Sequence, residues 1–324
     1  MQSTSKRGLK VEGIMHIRIG TRGSKLALWQ AYHVEECLQK AGMSTEIVKI
    51  ETKGDKILNV SIAKIGSKGV FTEEIEAQLS AGSIDIAVHS AKDMQSTLPS
   101  GFELIAFMER EVANDVIVSH NKDFQFDAHR KIVLGTSSTR RVATLKQLYP
   151  LVETVAVRGN LQTRIRKMEE GACEALMLAY AGVHRMGYDD MIVERLSLDT
   201  FVPAVGQGSV AIEVFETLDP NKRAALRKAL NHKETESCLL AERAFLKTMD
   251  GGCSIPVFGM ATISNDGLQM TGGIISLDGQ QRVRKQLQGA LSNPAALGVQ
   301  MAQEVLSNGG KEILQEIKEN LQDL

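Results

Sequence analysis

A lysine and an aspartate follow directly on a strand-like run in the segment IDIAVHSAKD, where they are Lys92 and Asp93. A carboxylate at such a place can cap a helix, or it can stabilise a cation and transfer protons. Basic residues elsewhere in the chain favour the second role, because a lone acid among arginines stays ionised. The sequence therefore predicts that Asp93 is a catalytic carboxylate.

Two turns between a strand and a helix carry hydroxyl groups and arginines. They are GTRGSK, with Arg22 and Ser24, and GTSSTRR, with Thr136, Ser138, Arg140 and Arg141. Free N–H groups and the dipole at the start of a helix bind anions, and hydroxyls add further donors. Neither turn has the glycine pattern of a nucleotide-binding loop. Both turns predict binding of an anion that is not a nucleotide.

The basic residues are concentrated in one stretch, although the whole chain has a net charge of -1. Between Lys131 and Arg166 there are seven basic residues and one acid, Glu153. Because the arginine fork matches a carboxylate, this stretch predicts a small ligand with several carboxylates. For Lys146 and Arg166, exposure on helix faces is the favoured explanation. The balanced total charge predicts neither nucleic-acid nor membrane binding.

Cys253 differs from the other cysteines because it lies in a loop, DGGCSIP. Cys37, Cys173 and Cys238 fall within helix or strand patterns, where a small apolar side chain is buried. A loop thiolate can carry a covalent group, although the position alone leaves an ordinary loop cysteine open. The wide spacing of all four argues against a zinc site or a disulfide framework and indicates a reducing, cytoplasmic compartment.

The elements that position these residues alternate between β-branched strands and amphipathic helices, as in α/β domains. The chain has 324 residues, of which 43% are hydrophobic, so two or three domains are expected. After a helix near 230–250, three strands with Asp-Gly turns and two helices predict a small α+β domain. Residues 1–13 are expected to form a mobile tail, and no signal peptide or membrane span is expected.

Taken together, the motifs resemble those of the porphobilinogen deaminase family in order and spacing. They are GTRGSKLALWQA, KGDKIL, KIGSKGVFTEEIE, IDIAVHSAKD, GTSSTRR, VRGNLQTRIRK, AVGQG and DGGCSIP. The resemblance implies two α/β domains like those of type II periplasmic binding proteins, joined by a hinge, plus a small α+β C-terminal domain. The implied domains are 14–110 with 209–228, then 112–203, then 231–324.

The resemblance also implies an activity. Four porphobilinogen molecules would be condensed head to tail, each losing ammonia, onto a dipyrromethane cofactor attached to Cys253 by a thioether. Hydrolysis would then release the linear tetrapyrrole hydroxymethylbilane. A cytoplasmic, monomeric transferase of heme biosynthesis is implied, with no metal, and its product would pass to uroporphyrinogen-III synthase.

Residue roles follow from the resemblance at matching positions. Catalysis is assigned to Asp93. Cofactor binding is assigned to Cys253, Lys92, Thr136, Ser138, Arg140 and Arg141. Substrate binding is assigned to Arg22, Ser24, Arg158, Arg164 and Arg185. Further candidates are Lys64 and Lys68, in a segment that could form a lid, and Gln207, which could instead only shape a turn between domains.

The chain departs from the family pattern at Met94 and Gln95, where a proline-containing sequence is usual. Two alternatives to the family function stay open. One is a two-lobed module that binds a carboxylate or oxyanion without catalysis, which the loop position of Cys253 disfavours. The other is an enzyme with Cys253 as an acyl nucleophile, which needs a base that the sequence does not mark among the seven histidines.

Overall fold

The computed structural model describes residues 14–53, 72–252, 254–264 and 267–322. Its strands are, in chain order, β1 (His16–Arg22), β2 (Ser44–Ile50), β3 (Ile86–Ser90), β4 (Phe102–Phe107), β5 (Asp115–Val118), β6 (Ile132–Gly135), β7 (Val152–Val155), β8 (Ala175–Ala179), β9 (Ile192–Arg195), β10 (Val210–Phe215), β11 (Val257–Ser264), β12 (Gly267–Ile275) and β13 (Arg282–Gly289). Its α-helices are, in chain order, α1 (Lys25–Lys40), α2 (Glu73–Ser80), α3 (Thr139–Leu148), α4 (Leu161–Glu169), α5 (Tyr180–Arg185), α6 (Pro220–Leu230), α7 (Lys233–Thr248), α8 (Pro294–Val305) and α9 (Lys311–Gln322). None of these helices is long and apolar enough to cross a membrane.

Two five-stranded sheets share one internal arrangement. The first has the order β2-β1-β3-β10-β4 and the second the order β7-β6-β8-β5-β9. In each sheet, three parallel strands are joined by an antiparallel strand, β10 in the first and β5 in the second. The chain passes between the sheets along residues 108–114 and 203–209, which we call the hinge segments. The predicted two-lobed α/β fold is confirmed.

Helix α1 shows how local sequence produces a lobe. Ser24 caps the helix, since its Oγ accepts a hydrogen bond from Ala27 N at 3.3 Å. Gly42 follows the last turn with φ +83°, a conformation that favours glycine. Both ends follow from the sequence, because serine is a favoured N-cap and glycine a favoured residue after the last turn. Buried Val34 and Leu38 recur at helical spacing and pack with the apolar residues of β1.

The third unit is a small α+β domain. Strands β11, β12 and β13 form an antiparallel sheet, and α7, α8 and α9 contribute residues to the core beside it. Phe245 of α7 and Met301 of α8 are fully buried in that core. The predicted C-terminal domain is therefore confirmed as a fold.

A single carboxylate joins this third unit to both hinge segments. Glu242 of α7 is fully buried and forms an ion pair with Arg110 of the first hinge segment, with Nη1 to Oε1 at 2.5 Å. Its oxygens also accept hydrogen bonds from Gly206 N in the second hinge segment and from Ala261 N in β11, both at 2.8 Å. Because a buried charge needs several partners, this arrangement fixes the third unit against the hinge.

Candidate active site

Asp93 lies at the end of a one-turn 3-10 helix, Ala91–Asp93, that follows the central strand of the first sheet. Ala91 N donates to Ser209 O of the second hinge segment at 2.9 Å. Gly206 of the same segment has φ +78°, and a Cβ there would lie 2.8 Å from the carbonyl carbon of Ala91. Only glycine allows this approach, so the hinge directly supports the turn that carries Asp93.

A pocket with a volume of about 70 Å³, open to solvent, lies beside this turn. Its wall includes exposed Asp93 and two predicted substrate-binding residues, Arg22 and Ser24. The lining also includes Ser90, whose Oγ accepts a hydrogen bond from Gln30 Nε2 at 2.9 Å. A carboxylate, an arginine and a helix N-terminus therefore surround one small space, which suits a ligand that has both acidic and developing cationic groups.

Charged residues of both lobes lie close enough to Asp93 to influence one another's pKa. Burial is the main cause that lowers the pKa of Lys92 to about 8; Asp93 opposes this shift, while Arg141 and Arg164 add to it. Burial also lowers the pKa of Arg164, as do the charges of Arg141 and Arg158, and Asp93 again opposes. Charges influence one another in this way only at short range. The structure thus brings five of the predicted site residues together across the cleft.

Arg140 and Arg141 lie in a buried ion-pair network. Both contact Asp115, Arg140 Nη2 at 2.8 Å from Oδ2 and Arg141 Nη2 at 2.7 Å from Oδ1. Gln207 Nε2 donates to Asp115 Oδ1 at 2.9 Å and to Ala113 O at 2.6 Å. Burial alone would raise the pKa of Asp115, but the two arginines outweigh it and hold the pKa below its usual range. The network ties α3 to the hinge, and the sequence analysis missed Asp115.

Replacing Asp115 with alanine is expected to destabilise the fold by about 3–5 kcal/mol, because two buried guanidinium groups lose their counter-ion. The midpoint and slope of urea unfolding at neutral pH measure this change. The contribution of Asp115 to the free energy of unfolding is present above about pH 3.9, the usual pKa of an aspartate carboxyl group. It disappears as pH falls through the lowered folded-state pKa of Asp115.

Asp85→Ala provides the matched control for this prediction. Asp85 also contacts two cations, Arg18 at 2.9 Å and Lys222 at 2.8 Å, but those side chains are 34% and 29% exposed. Water can solvate them once the acid is gone, so the loss should be clearly smaller. Equal losses for the two variants would contradict the buried network as the cause.

The turn before α3 holds the predicted residues Thr136 and Ser138. Thr136 is buried, and its Oγ1 accepts a hydrogen bond from Ser138 N at 3.4 Å. Ser138 is the N-cap of α3, but its side chain accepts no capping hydrogen bond. Its hydroxyl and the first N–H groups of the helix are therefore suited to an anionic ligand, as predicted from the sequence motif.

Arg185 contacts the opposite lobe rather than the pocket of Asp93. Its Nη2 donates to Gly208 O at 2.8 Å, and its guanidinium lies 5.2 Å from the centre of the Trp29 ring on α1. Burial lowers the pKa of Arg185, whereas Glu111 opposes that shift. Lys64, Lys68 and Cys253 lie outside the described residues.

The donor set fits a small group that carries several carboxylates. Lys92, Ser138, Arg158 and Arg164 supply ammonium, hydroxyl and guanidinium donors from both lobes. Behind them, the buried Nε of Arg140 has no hydrogen-bond partner in the part of the chain that the structure describes. An anionic group bound between the lobes would gain from this excess of donors.

Comparisons with known proteins match both parts of the chain. The family model "Porphobilinogen deaminase, dipyromethane cofactor binding domain" matches residues 17–222, and "Porphobilinogen deaminase, C-terminal domain" matches residues 236–307. The porphobilinogen deaminase of Desulfosudis oleivorans is 55% identical over 305 residues, which are 94% of this chain and 98% of that protein. The porphobilinogen deaminase of Cytophaga hutchinsonii is 56% identical over 305 residues, with the same two coverages of 94% and 98%. Among solved structures, a double mutant of the Bordetella pertussis BvgS VFT2 domain is 16% identical with a TM-score of 0.41, covering 66% of this chain and 86% of that one.

Proposed function

This chain belongs to the porphobilinogen deaminase family, and we propose that it condenses four porphobilinogen molecules head to tail into hydroxymethylbilane, with loss of one ammonia at each condensation. Relatives that are 55% and 56% identical over nearly the full length carry the name of this enzyme. A two-lobed binding module without catalysis is therefore not favoured.

The observation that carries the mechanism is a single exposed carboxylate, Asp93, within a group of cations from both lobes. Porphobilinogen has an acetate and a propionate, and positive charge develops on its pyrrole as ammonia leaves. Asp93 stabilises that positive charge. Arg22 and Ser24 in the pocket wall, with Arg158 and Arg164 of the second lobe, bind the carboxylates of the substrate.

The cofactor of this family is dipyrromethane, and the matched family model is described by that cofactor. When bound, it supplies a nucleophilic carbon and a covalent anchor for the product. In our proposal Cys253 forms the thioether. Lys92 and Ser138 bind cofactor carboxylates, and Lys92, which is next to Asp93, also binds a substrate carboxylate. Thr136, Arg140 and Arg141 hold the turn before α3 and add positive charge there.

Finer points of the proposal rest on the family resemblance. The domains are 14–110 with 209–228, then 112–203, then 231–324. The enzyme is a cytoplasmic, monomeric transferase, and its product passes to uroporphyrinogen-III synthase. Arg185 binds substrate only when the lobes separate, because its guanidinium lies against Trp29 and the Gly208 carbonyl in this structure.

The affinity for porphobilinogen is expected to fall as pH rises from about 7 to 9. Lys92 binds a carboxylate only while it is protonated, and its pKa is lowered to about 8. KM measured across this range should therefore increase in the parent chain. Lys92→Arg keeps its charge throughout, so its KM should stay nearly flat, and Lys92→Met should bind weakly at every pH. A similar rise of KM in Lys92→Arg would show that another group is responsible.

The mass of the intact purified protein tests the proposed function first. We expect an excess equal to two porphobilinogen units less two ammonias, and peptide mapping should locate it on the peptide that contains Cys253. Incubation with porphobilinogen should then release ammonia and hydroxymethylbilane. A protein that has the bare mass, and keeps it during incubation, would be a binding protein rather than this enzyme.

A further inference from the structure

A buried histidine–glutamate pair lies in the wall of the Asp93 pocket, and the mechanism above gives it no role. His89 Nε2 lies 3.0 Å from Glu213 Oε2, and the two side chains are 6% and 0% exposed. Glu213 of β10 is paired in register with Ala87 of β3, so His89 is its diagonal neighbour on the same face of the sheet. His89 also lines the pocket that contains Asp93.

The pairing determines which ring nitrogen is basic. An ionised carboxylate only accepts hydrogen bonds, so Nε2 carries the hydrogen and Nδ1 of the neutral ring keeps its lone pair. No residue in the described part of the chain forms a hydrogen bond with Nδ1 of His89. Nδ1 is therefore the basic atom that His89 can offer to the pocket that it lines.

Charged groups from several other elements lie around His89. Glu213 faces it from β10 and buried Glu76 from α2, and burial raises the pKa of Glu76, with the charge of Glu213 adding to the shift. Arg243 of α7 lies near Glu213; burial lowers the pKa of Arg243, and Glu213 opposes this. Asp93 shares the pocket. Two carboxyl groups and one guanidinium thus lie around the ring, and a carboxylate beside it stabilises positive charge that arrives with a proton.

We propose that His89, oriented by Glu213, is the base that accepts the proton released from the pyrrole α-carbon in each condensation. This inference rests on the proposed function. When the new carbon–carbon bond has formed, the carbon–hydrogen bond at that α-carbon breaks, its electron pair returns to the pyrrole ring, and the proton moves to Nδ1 of His89. The proton then passes to water and is taken up by the released ammonia, so each cycle yields ammonium and a neutral imidazole. Asp93 keeps the separate task of stabilising positive charge.

The first test is the variant His89→Gln, purified with its cofactor and checked by intact mass. Glutamine can still donate to Glu213 but cannot accept a proton, so kcat should fall by about 10²-fold with little change in KM. Porphobilinogen with deuterium at its free α-carbon should then show a primary isotope effect on kcat that the parent chain lacks. A change in packing alone would lower stability or kcat without producing that isotope effect.

The second test follows the His89 ring itself and needs no turnover. In holoprotein with ¹⁵N-labelled histidine, NMR should show the Nε2–H form of the ring, its signal identified by its absence in His89→Gln. In Glu213→Gln the carboxylate that orients the ring is lost, so the Nε2–H form should no longer predominate. The same variant should lower kcat and show the isotope effect that the parent chain lacks. This variant also serves if His89→Gln does not fold.

His184→Gln is the matched control, because His184 pairs with Asp189 at 2.8 Å on the surface of the second lobe. Its kcat, isotope effect and pH profile should equal those of the parent chain. Full kcat in His89→Gln, or an unchanged ring form and kcat in Glu213→Gln, would overturn the proposal. A parent chain that releases no ammonia from porphobilinogen would instead refute the proposed function, and the two failures are thus distinct.

Discussion

Replacing Asp93 with asparagine is expected to lower kcat by about 10²–10³-fold, the usual range for loss of one group that stabilises developing charge. Asparagine has the same shape but no negative charge, so positive charge on the substrate is no longer stabilised. Asp93 is exposed at the end of its turn, and the fold should therefore tolerate the change. Steady-state rates, intact mass and thermal unfolding of the same preparation together measure the effect.

Two comparisons make this result specific. Asp199→Asn changes an acid that is 96% exposed and 3.9 Å from its partner Arg284, and it should leave kcat unchanged. Asp93→Glu keeps the charge and should retain part of the activity. An Asp93→Asn enzyme with full kcat and a normal cofactor would remove Asp93 from the mechanism.

Replacing Cys253 with alanine is expected to abolish turnover completely. No thioether can form, so the purified protein should have the mass of the bare chain. The bound cofactor stabilises only the folded state, and its loss should also lower Tm. Intact mass spectrometry, a porphobilinogen assay and thermal unfolding measure the three effects.

Cys37→Ala is the control for this change, because Cys37 is a half-buried residue of α1 with no proposed chemical role. It should keep the cofactor, the rate and nearly the same Tm. If Cys253→Ala carried a normal cofactor, the attachment site would have to be another nucleophile. The other three cysteines could then be replaced one at a time to find the attachment site.

The fold was predictable wherever the local pattern is strong. The apolar run of β3, the Ser24 cap and the Gly42 end of α1 all follow from the sequence. Periodicity could not predict that the chain returns to the first sheet after forming the second. There β10 pairs with β3, although more than a hundred residues separate the two strands. Only the family resemblance indicated a hinge.

The site was predictable in its residue types but not in its pairings. Arg140 and Arg141 were assigned to an anionic cofactor, and the structure places both against Asp115. The partner lies in a different element, so no local pattern connects them. One signal was present: Asp115 opens a strand that is otherwise wholly apolar, and a charge in such a place needs a buried counter-ion.

Gln95, a departure from the family pattern, forms hydrogen bonds in the structure that the sequence alone does not reveal. Its side-chain Nε2 donates to Thr72 Oγ1 at 3.2 Å and to Glu76 Oε1 at 3.3 Å, and its main-chain oxygen accepts from Arg243 Nη2 at 2.9 Å. Gln95, the second residue after the catalytic turn, thereby connects α2 of the first lobe with α7 of the third unit. A proline has no side chain that could donate these hydrogen bonds.

The contact between Arg185 and Trp29 has a practical consequence, because Trp29 is the sole tryptophan among the 324 residues. The indole lies on α1 and the guanidinium on α5, so the two groups separate whenever the lobes move apart. A cation over an indole face alters the field that the excited ring experiences. Trp29 is therefore an intrinsic fluorescence probe of cleft opening, and the emission of Trp29 can be followed during turnover without any attached dye.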